Sequence, residues 1–188
     1  MRFRAGLLPL ITVLVLSPTA SAFHFPWSSK SSEPVKPSVN QPQSSVRQVS
    51  PKRVDRILVK KTERRLYLMR DKEPFRSYKI ALGYQPTGHK RRRGDGRTPE
   101  GIYHLDWRSD KSGYRKALHI SYPNAQDRFR ALRQGEDPGG MIMIHGQPSR
   151  RGEPKSGDWT FGCIAVSNMA IDEIWSYVSE GTPVEILP

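Results

Sequence analysis

The sequence predicts a mainly β domain with minor α structure. Short segments rich in Val, Ile, Leu and Tyr recur along the chain, turn residues separate them, and only two segments have helical periodicity. No internal repeat is present, and 188 residues are enough for one domain with appendages. We therefore expect one β-rich domain over residues 53–188.

The first 52 residues are predicted to lie outside that domain. Residues 1–22 combine a basic start, an apolar run and the cleavage-like Ala20-Ser21-Ala22, which is typical of a secretory signal. The apolar run is shorter than the ~20 residues that cross a bilayer. An uncleaved anchor, which would keep the domain near a membrane, stays open as the alternative. Residues 23–52 are rich in Ser, Pro and Gln and are predicted to be a flexible linker. We expect an exported protein of the periplasm or cell envelope.

The first half of the domain is predicted to consist of strands. Arg56 to Lys60 and Arg65 to Arg70 are joined by a hairpin turn, and Phe75 to Leu82 alternates as a third strand. A long loop from Gly83 to Arg97 contains the densest charge of the chain, His89 to Arg93. Such a run is either a solvated loop or a flap that faces anions.

The second half adds strands and both helices. The spacing of Ala125, Phe129 and Leu132 predicts a short helix over 125–133, and a second apolar face predicts a helix from Met169 to Ser179. The further predicted strands are Ile102 to Asp106, Leu118 to Tyr122, Met141 to Ile144, Ile164 to Val166 and Val184 to Leu187.

The charge balance points to an anionic partner. The net charge is +13, from 31 basic and 18 acidic side chains. Nucleic acid, acidic lipid head groups and the carboxylates of a cell-wall polymer would all be attracted. The basic run has no interleaved aromatic residues and the chain has no reading motif, so nucleic-acid binding is not expected. With one cysteine the fold has no internal disulfide, and we expect a monomer.

The only cysteine, Cys163, is the candidate for covalent chemistry. It follows Gly162 and precedes an apolar run, and His145 ends another apolar run upstream. A thiol attacks carbonyls as the thiolate and needs a base or a cation nearby. Gly162 would let the backbone approach a substrate, and its amide is a candidate oxyanion donor. The alternative is that Cys163 is a small buried apolar residue.

Other chemistries are less well supported. Cys163 has no zinc-ligand spacing with His89, His104, His119 or His145, so no metal is predicted. His104 and His119 lie in predicted strands and are interpreted as structural histidines.

At these residues the chain resembles the catalytic domain of the L,D-transpeptidases, the YkuD-type enzymes of bacterial cell walls. Their pattern, H-G-x(n)-[ST]-H-G-C-x-[RH], is matched by His145-Gly146 and Thr160-Phe161-Gly162-Cys163. Stretches 94–101, 118–123 and 157–160 resemble one branch of the family, which has T-x-G-C-I-A at the cysteine. The likeness covers roughly residues 55–187. Phe161 and Ala165 depart from the pattern, since many members have histidine and arginine there.

The resemblance implies a β-sandwich or barrel with one or two short helices, acting on peptidoglycan stem peptides without a metal or organic cofactor. Cys163 would attack the carbonyl between diaminopimelate and the terminal D-alanine. An amine, including that of a wall-attached protein, would then resolve the acyl-enzyme. With water instead, the same site would be a hydrolase, an L,D-carboxypeptidase or an amidase that releases wall-attached protein. A non-catalytic wall-binding module is the third interpretation.

The resemblance also ranks the site residues. Because Phe161 replaces the second histidine, the base role rests on His145 alone, with the Gly146 region supplying the carbonyl that orients it. A lid is predicted between the two motifs, carrying Arg150, Arg151 and Lys155. The candidate substrate-binding residues are Arg97, Thr98, Ser121, Tyr122, Trp159, Thr160 and Phe161.

Overall fold

The structure is a computed structural model that describes residues 54–148 and 154–188. These residues form eight strands and two helices, joined by turns and loops. The strands are β1 Arg56–Lys60, β2 Arg65–Arg70, β3 Glu73–Lys79, β4 Gly101–Ser112, β5 Arg115–Ile120, β6 Met143–His145, β7 Ile164–Ala165 and β8 Pro183–Leu187. The helices are α1 Ala125–Arg133 and α2 Asn168–Tyr177. The predicted class, mainly β with minor α, is confirmed.

Some predictions concern residues outside these ranges. The signal segment, the linker and the lid residues Arg150 and Arg151 all lie outside the described residues. Within 54–148 and 154–188, neither helix has the length and apolar character needed to cross a bilayer.

The strands form one sheet in the order β3-β2-β1-β8-β4-β5-β6-β7. Strand β4 spans 12 residues and pairs with two neighbouring strands. Its first part, from Gly101 to His104, pairs with β8, and the rest pairs with β5. Beyond β3, Ala81 forms an antiparallel bridge with Ala165 of β7. The two ends of the sheet are therefore connected, and the sheet curls back on itself as a barrel-like domain does.

The core lies between the inner face of the sheet and helix α2. Ile57 and Val59 of β1 are fully buried, as are Ile171 and Ile174 of α2. Burying each such side chain is worth about 1.5–3 kcal/mol. Helix α2 begins after Ser167, whose hydroxyl accepts a hydrogen bond from the Ala170 amide at 3.1 Å. The predicted apolar face of this helix is confirmed, and its packing supports β5 beside the two site-bearing strands.

Helix α1 forms where it was predicted, but the prediction of its apolar face is wrong. Phe129 is 60% exposed and Leu132 is 77% exposed, whereas Asp127 and Ala131 are buried. Polar contacts set the rotation of this helix. Asp127 closes a capping box with Asn124 and accepts a hydrogen bond from the buried Tyr103 hydroxyl at 3.0 Å. A carboxylate satisfied in this way is favourable inside, and apolar spacing alone does not reveal it.

The charged run His89 to Arg93 has one buried member. Lys90 is only 3% exposed, and its ammonium lies 2.8 Å from Asp95. Arg92 and Arg93 form exposed ion pairs with the segment after α1, Arg92 with Glu136 and Arg93 with Asp137. The side chains of Arg91, Arg92 and Arg93 are exposed, as in a solvated loop, whereas Lys90 anchors the loop.

Candidate active site

Strands β6 and β7 place Cys163 and His145 on the same face of the sheet. The two strands are parallel, with Ile144 opposite Ile164 and His145 opposite Ala165. Cys163 directly precedes Ile164 and so lies opposite Met143. Because side chains alternate between faces, Cys163 and His145 are diagonal neighbours, with Cα atoms roughly 7–8 Å apart. The register thus puts the thiol and the imidazole that the sequence singled out on one face of neighbouring strands.

The backbone at Gly146 fixes the tautomer of His145. The Nδ1 atom of His145 lies 2.7 Å from the Gly146 carbonyl oxygen. A carbonyl only accepts, so Nδ1 carries the proton and the Nε2 lone pair is left free. The Gly146 amide donates to the Tyr114 carbonyl at 3.1 Å, and a Cβ at Gly146 would come within 2.5 Å of the Asn168 side-chain oxygen. Glycine is therefore required at this position.

Two aromatic rings enclose His145. The Tyr114 ring lies 4.5 Å from the imidazole, centroid to centroid, and the Trp159 ring lies 5.8 Å away. Burial lowers the pKa of His145 below its usual 6.5, and the bond to the Gly146 carbonyl opposes this shift only in part. The imidazole is therefore neutral at neutral pH and able to accept a proton. Tyr114, from the turn between β4 and β5, is a site residue that sequence reasoning missed.

The Cys163 thiol is also neutral at rest. Burial raises the pKa of Cys163 above its usual 9.0, while a backbone hydrogen bond from Met143 and the charge of Lys90 act in the opposite direction. The Sγ atom, in a half-buried side chain, makes a weak hydrogen bond to the Met141 carbonyl at 3.5 Å. Both the thiol and the imidazole are therefore neutral at rest.

Thr160 holds the turn that presents Cys163. Its hydroxyl donates to the Cys163 carbonyl at 2.7 Å and accepts from the Gly162 amide at 3.1 Å. Thr160 is buried, so in this conformation it supports the turn and does not face a substrate. The Gly162 amide is already bonded and cannot serve as the expected oxyanion donor. The Cys163 amide has no hydrogen-bond partner in the described part of the chain and is the better candidate.

Three backbone segments stack directly beside the cysteine. A Cβ at Gly162, whose φ is +127°, would lie 2.6 Å from the Arg97 carbonyl oxygen. A Cβ at Gly83 would lie 3.1 Å from the Gly162 Cα. The Thr98 hydroxyl accepts from the Gly83 amide at 3.1 Å. Thr98 is fully buried and thus braces these segments, whereas the Arg97 backbone directly borders the cysteine turn.

The remaining candidates divide into two groups. Trp159 lies against His145, and Phe161 is 78% exposed next to Cys163, with its ring 5.7 Å from Tyr84. Both lie beside the candidate nucleophile or its base. Ser121 and Tyr122 line a cavity of about 580 Å³, and no contact of theirs with Cys163 or His145 is found in the described chain.

His119 of β5 pairs with Met143 of β6, so its side chain lies on the same face of the sheet as Cys163 and His145. Its Nδ1 atom is 2.6 Å from Asp106, and its ring stacks on Trp107 at 4.8 Å. These contacts agree with the interpretation of His119 as a structural histidine. Within the described ranges no three His, Cys, Asp or Glu side chains are grouped so as to hold a metal ion.

The neutral thiol gives the first testable prediction. Because burial raises the pKa of Cys163 above 9.0, alkylation by iodoacetamide should be slow at pH 7 and should rise only above pH 9. The chain has one cysteine, so the mass gain of wild type minus that of Cys163→Ala under the same conditions reports the thiol reaction. Rapid alkylation that persists at pH 6 would instead indicate a thiolate–imidazolium pair and would contradict the neutral resting state.

The chain is similar to known proteins over the region that contains Cys163 and His145. The family model for the L,D-transpeptidase catalytic domain (YkuD) matches residues 54–186. YafK of Escherichia coli (strain K12), for which transpeptidase activity is a provisional assignment, is 36% identical over 105 residues. That region covers 55% of this chain and 37% of YafK.

Solved structures agree on the fold. The helical cell shape determining protein Pgp2 from Campylobacter jejuni is 28% identical, with a TM-score of 0.56, over 69% of this chain and 46% of Pgp2. Bd1075 from Bdellovibrio bacteriovorus is 24% identical, with a TM-score of 0.51, over 74% of this chain and 50% of Bd1075, and supports the fold alone. This chain therefore spans less than half the length of YafK and of Pgp2.

Proposed function

Because the chain belongs to the YkuD family of L,D-transpeptidase catalytic domains, we propose that it is a cysteine acyltransferase of peptidoglycan. It acts outside the cytoplasm, in the periplasm or cell envelope, on stem peptides that contain diaminopimelate. One observation carries the proposal: a free Nε2 lone pair and the only thiol of the chain share one face of adjacent strands.

In the first step Cys163 Sγ attacks the carbonyl that joins diaminopimelate to the terminal D-alanine. The thiol proton passes to Nε2 of His145, whose positive charge the Gly146 carbonyl stabilises. The Cys163 amide donates to the oxyanion of the tetrahedral intermediate, a contact typically worth ~3 kcal/mol. The C–N bond then breaks, His145 returns the proton to the leaving amine, and D-alanine departs from the thioester.

In the second step an amine acceptor attacks the thioester. His145 removes a proton from the amine, the C–S bond breaks and the Cys163 thiolate is reprotonated. A second stem peptide as acceptor gives a cross-link, and a lysine of a wall protein gives an attachment. Water gives a shortened stem. No metal or cofactor is needed in either step.

Pgp2 is a helical cell shape determining protein, and its similarity to this chain supports a link between the proposed chemistry and cell shape. Changing the cross-links or stem lengths of peptidoglycan changes the mechanics of the wall. We therefore propose that the protein contributes to cell shape through the same chemistry.

Product analysis tests this function. Purified protein is incubated with donor muropeptides that end in diaminopimelyl-D-alanine, and the products are separated and weighed by mass spectrometry. We expect D-alanine release together with 3–3 cross-linked dimers. Shortened stems without dimers would instead make the protein a hydrolase at the same site. Wall binding without any covalent change, in wild type and in Cys163→Ala alike, would leave only the wall-binding module.

A further inference from the structure

A polar cavity of about 360 Å³ lies on the loop that borders the cysteine turn. Three arginines, two acids and two glutamines line it; the charged members are Arg91, Arg92, Arg97, Asp95 and Glu136. The volume is within the range of small-molecule sites. Neither Cys163 nor His145 lines this cavity, and the connection to the nucleophile runs through the backbone of Arg97, whose carbonyl packs where a side chain at Gly162 would otherwise be.

The acids of this cavity are already engaged. Asp95 accepts hydrogen bonds from the Lys90 ammonium at 2.8 Å and from the backbone amides of Arg91, Arg92 and Arg97. Glu136 pairs with Arg92 at 3.2 Å. In the described chain neither the Arg91 nor the Arg97 guanidinium has a carboxylate partner. The cavity therefore presents two uncompensated cations.

The surroundings of Arg97 increase this positive potential. A Cβ at Gly88 would lie 3.3 Å from Arg97 Nη1, and the Gly88 carbonyl accepts a hydrogen bond from the buried Lys61 ammonium at 2.7 Å. Within residues 54–148 and 154–188, Glu100 is the one carboxylate that pairs with Lys61, at 2.7 Å. Burial and, less strongly, the nearby charges of Arg97 and Arg64 lower the pKa of Lys61. An anion bound at Arg97 would relieve this repulsion.

We propose that this cavity binds a carboxylate of the donor peptide through Arg97 and Arg91, and so sets the position of the scissile carbonyl at Cys163. The inference rests on the proposed function, which supplies a peptide with carboxylates. Arginine suits this task because its planar fork matches a carboxylate with two parallel hydrogen bonds. Two carboxylates are available, the C-terminal one of D-alanine and the free one of diaminopimelate, and the experiment distinguishes them.

Binding is measured without turnover, so the test is independent of the chemistry. The Cys163→Ala protein is titrated by calorimetry with a donor peptide ending in diaminopimelyl-D-alanine. Adding Arg97→Gln or Arg91→Gln should raise Kd about 10- to 100-fold, the usual worth of a hydrogen bond to a charged group. Arg133→Gln, on the exposed side of α1 and outside this cavity, is the matched control and should leave Kd unchanged.

Amidated peptides identify the carboxylate. If amidation of the D-alanine end removes the dependence on Arg97, the cavity binds that end; if amidation of diaminopimelate does so, it binds the side-chain carboxylate. An Arg97 effect that neither amidation alters, an unchanged Kd in Arg97→Gln, or no binding by Cys163→Ala would overturn the proposal. The proposed function is tested separately, because D-alanine release by the wild-type protein does not depend on the outcome of these titrations.

Discussion

Replacing Cys163 by alanine is expected to abolish acyl-enzyme formation and to lower D-alanine release on the order of 10⁵-fold or more, as loss of a catalytic nucleophile does. No other thiol exists in the chain to substitute for it. The measurement is the intact mass of the protein after incubation with a donor peptide or a carbapenem. Wild type should gain one adduct, and Cys163→Ala should gain none.

The variant must be shown to fold. Cys163 is half-buried and alanine is smaller, so we expect a loss of about 1 kcal/mol at most in the free energy of unfolding. Thermal unfolding followed by circular dichroism checks this. Cys163→Ser is a second variant that keeps the side-chain shape. An adduct of equal mass on Cys163→Ala would show that the protein is acylated elsewhere and would refute the assigned nucleophile.

Replacing His145 by glutamine is expected to lower kcat/KM for D-alanine release roughly 10³- to 10⁴-fold near neutral pH. Glutamine can still donate to the Gly146 carbonyl but has no lone pair that can act as a base. In wild type the base must be neutral, and burial lowers its pKa, so activity should persist below pH 6.5 before it falls. In His145→Gln the fall in activity at acid pH should no longer follow the ionisation of the imidazole. Activity should instead rise steadily with pH as the thiol ionises without a base, and the difference in kcat/KM from wild type should become smaller above pH 9.

A second histidine provides the matched control for this variant. His104, an exposed residue of β4, bonds to Ser121 in a cavity that Cys163 does not line. His104→Gln should retain activity close to that of wild type. A His145→Gln protein with an unchanged pH profile would show that another group, such as the His119–Asp106 pair on the same face, removes the thiol proton.

Elements with a strong local pattern were predicted well. Strands β1 and β2 have the predicted bounds, because apolar residues alternate in both and a short turn joins them. Helix α2 combines a regular apolar face with a capping serine and was found within two residues at each end. The reason is that local propensity and burial favour the same structure in these segments.

Elements without an apolar pattern of their own were predicted less well. Strand β4 extends to Ser112 through polar residues because it forms a hairpin with β5, and no apolar pattern marks that part. Helix α1 turns Asp127 inward since Tyr103 and His89, far along the chain, lie beside it. Tyr103 and His89 are distant from Asp127 in sequence, so local periodicity carries no information about these contacts.

The sequence by itself selected the candidate groups for the proposed chemistry. One cysteine after a glycine, a histidine at the end of a second apolar run, and the motif around both were enough to select Cys163 and His145 and to indicate the family. The tertiary structure decided the relative positions, the burial and the protonation states of those groups. The β6–β7 register puts them on one face, Tyr114 and Trp159 exclude water from the imidazole, and close packing at Gly162 sets Arg97 beside the cysteine. Protonation states and neighbours depend on burial and on contacts between distant residues, and these exist only once the chain has folded.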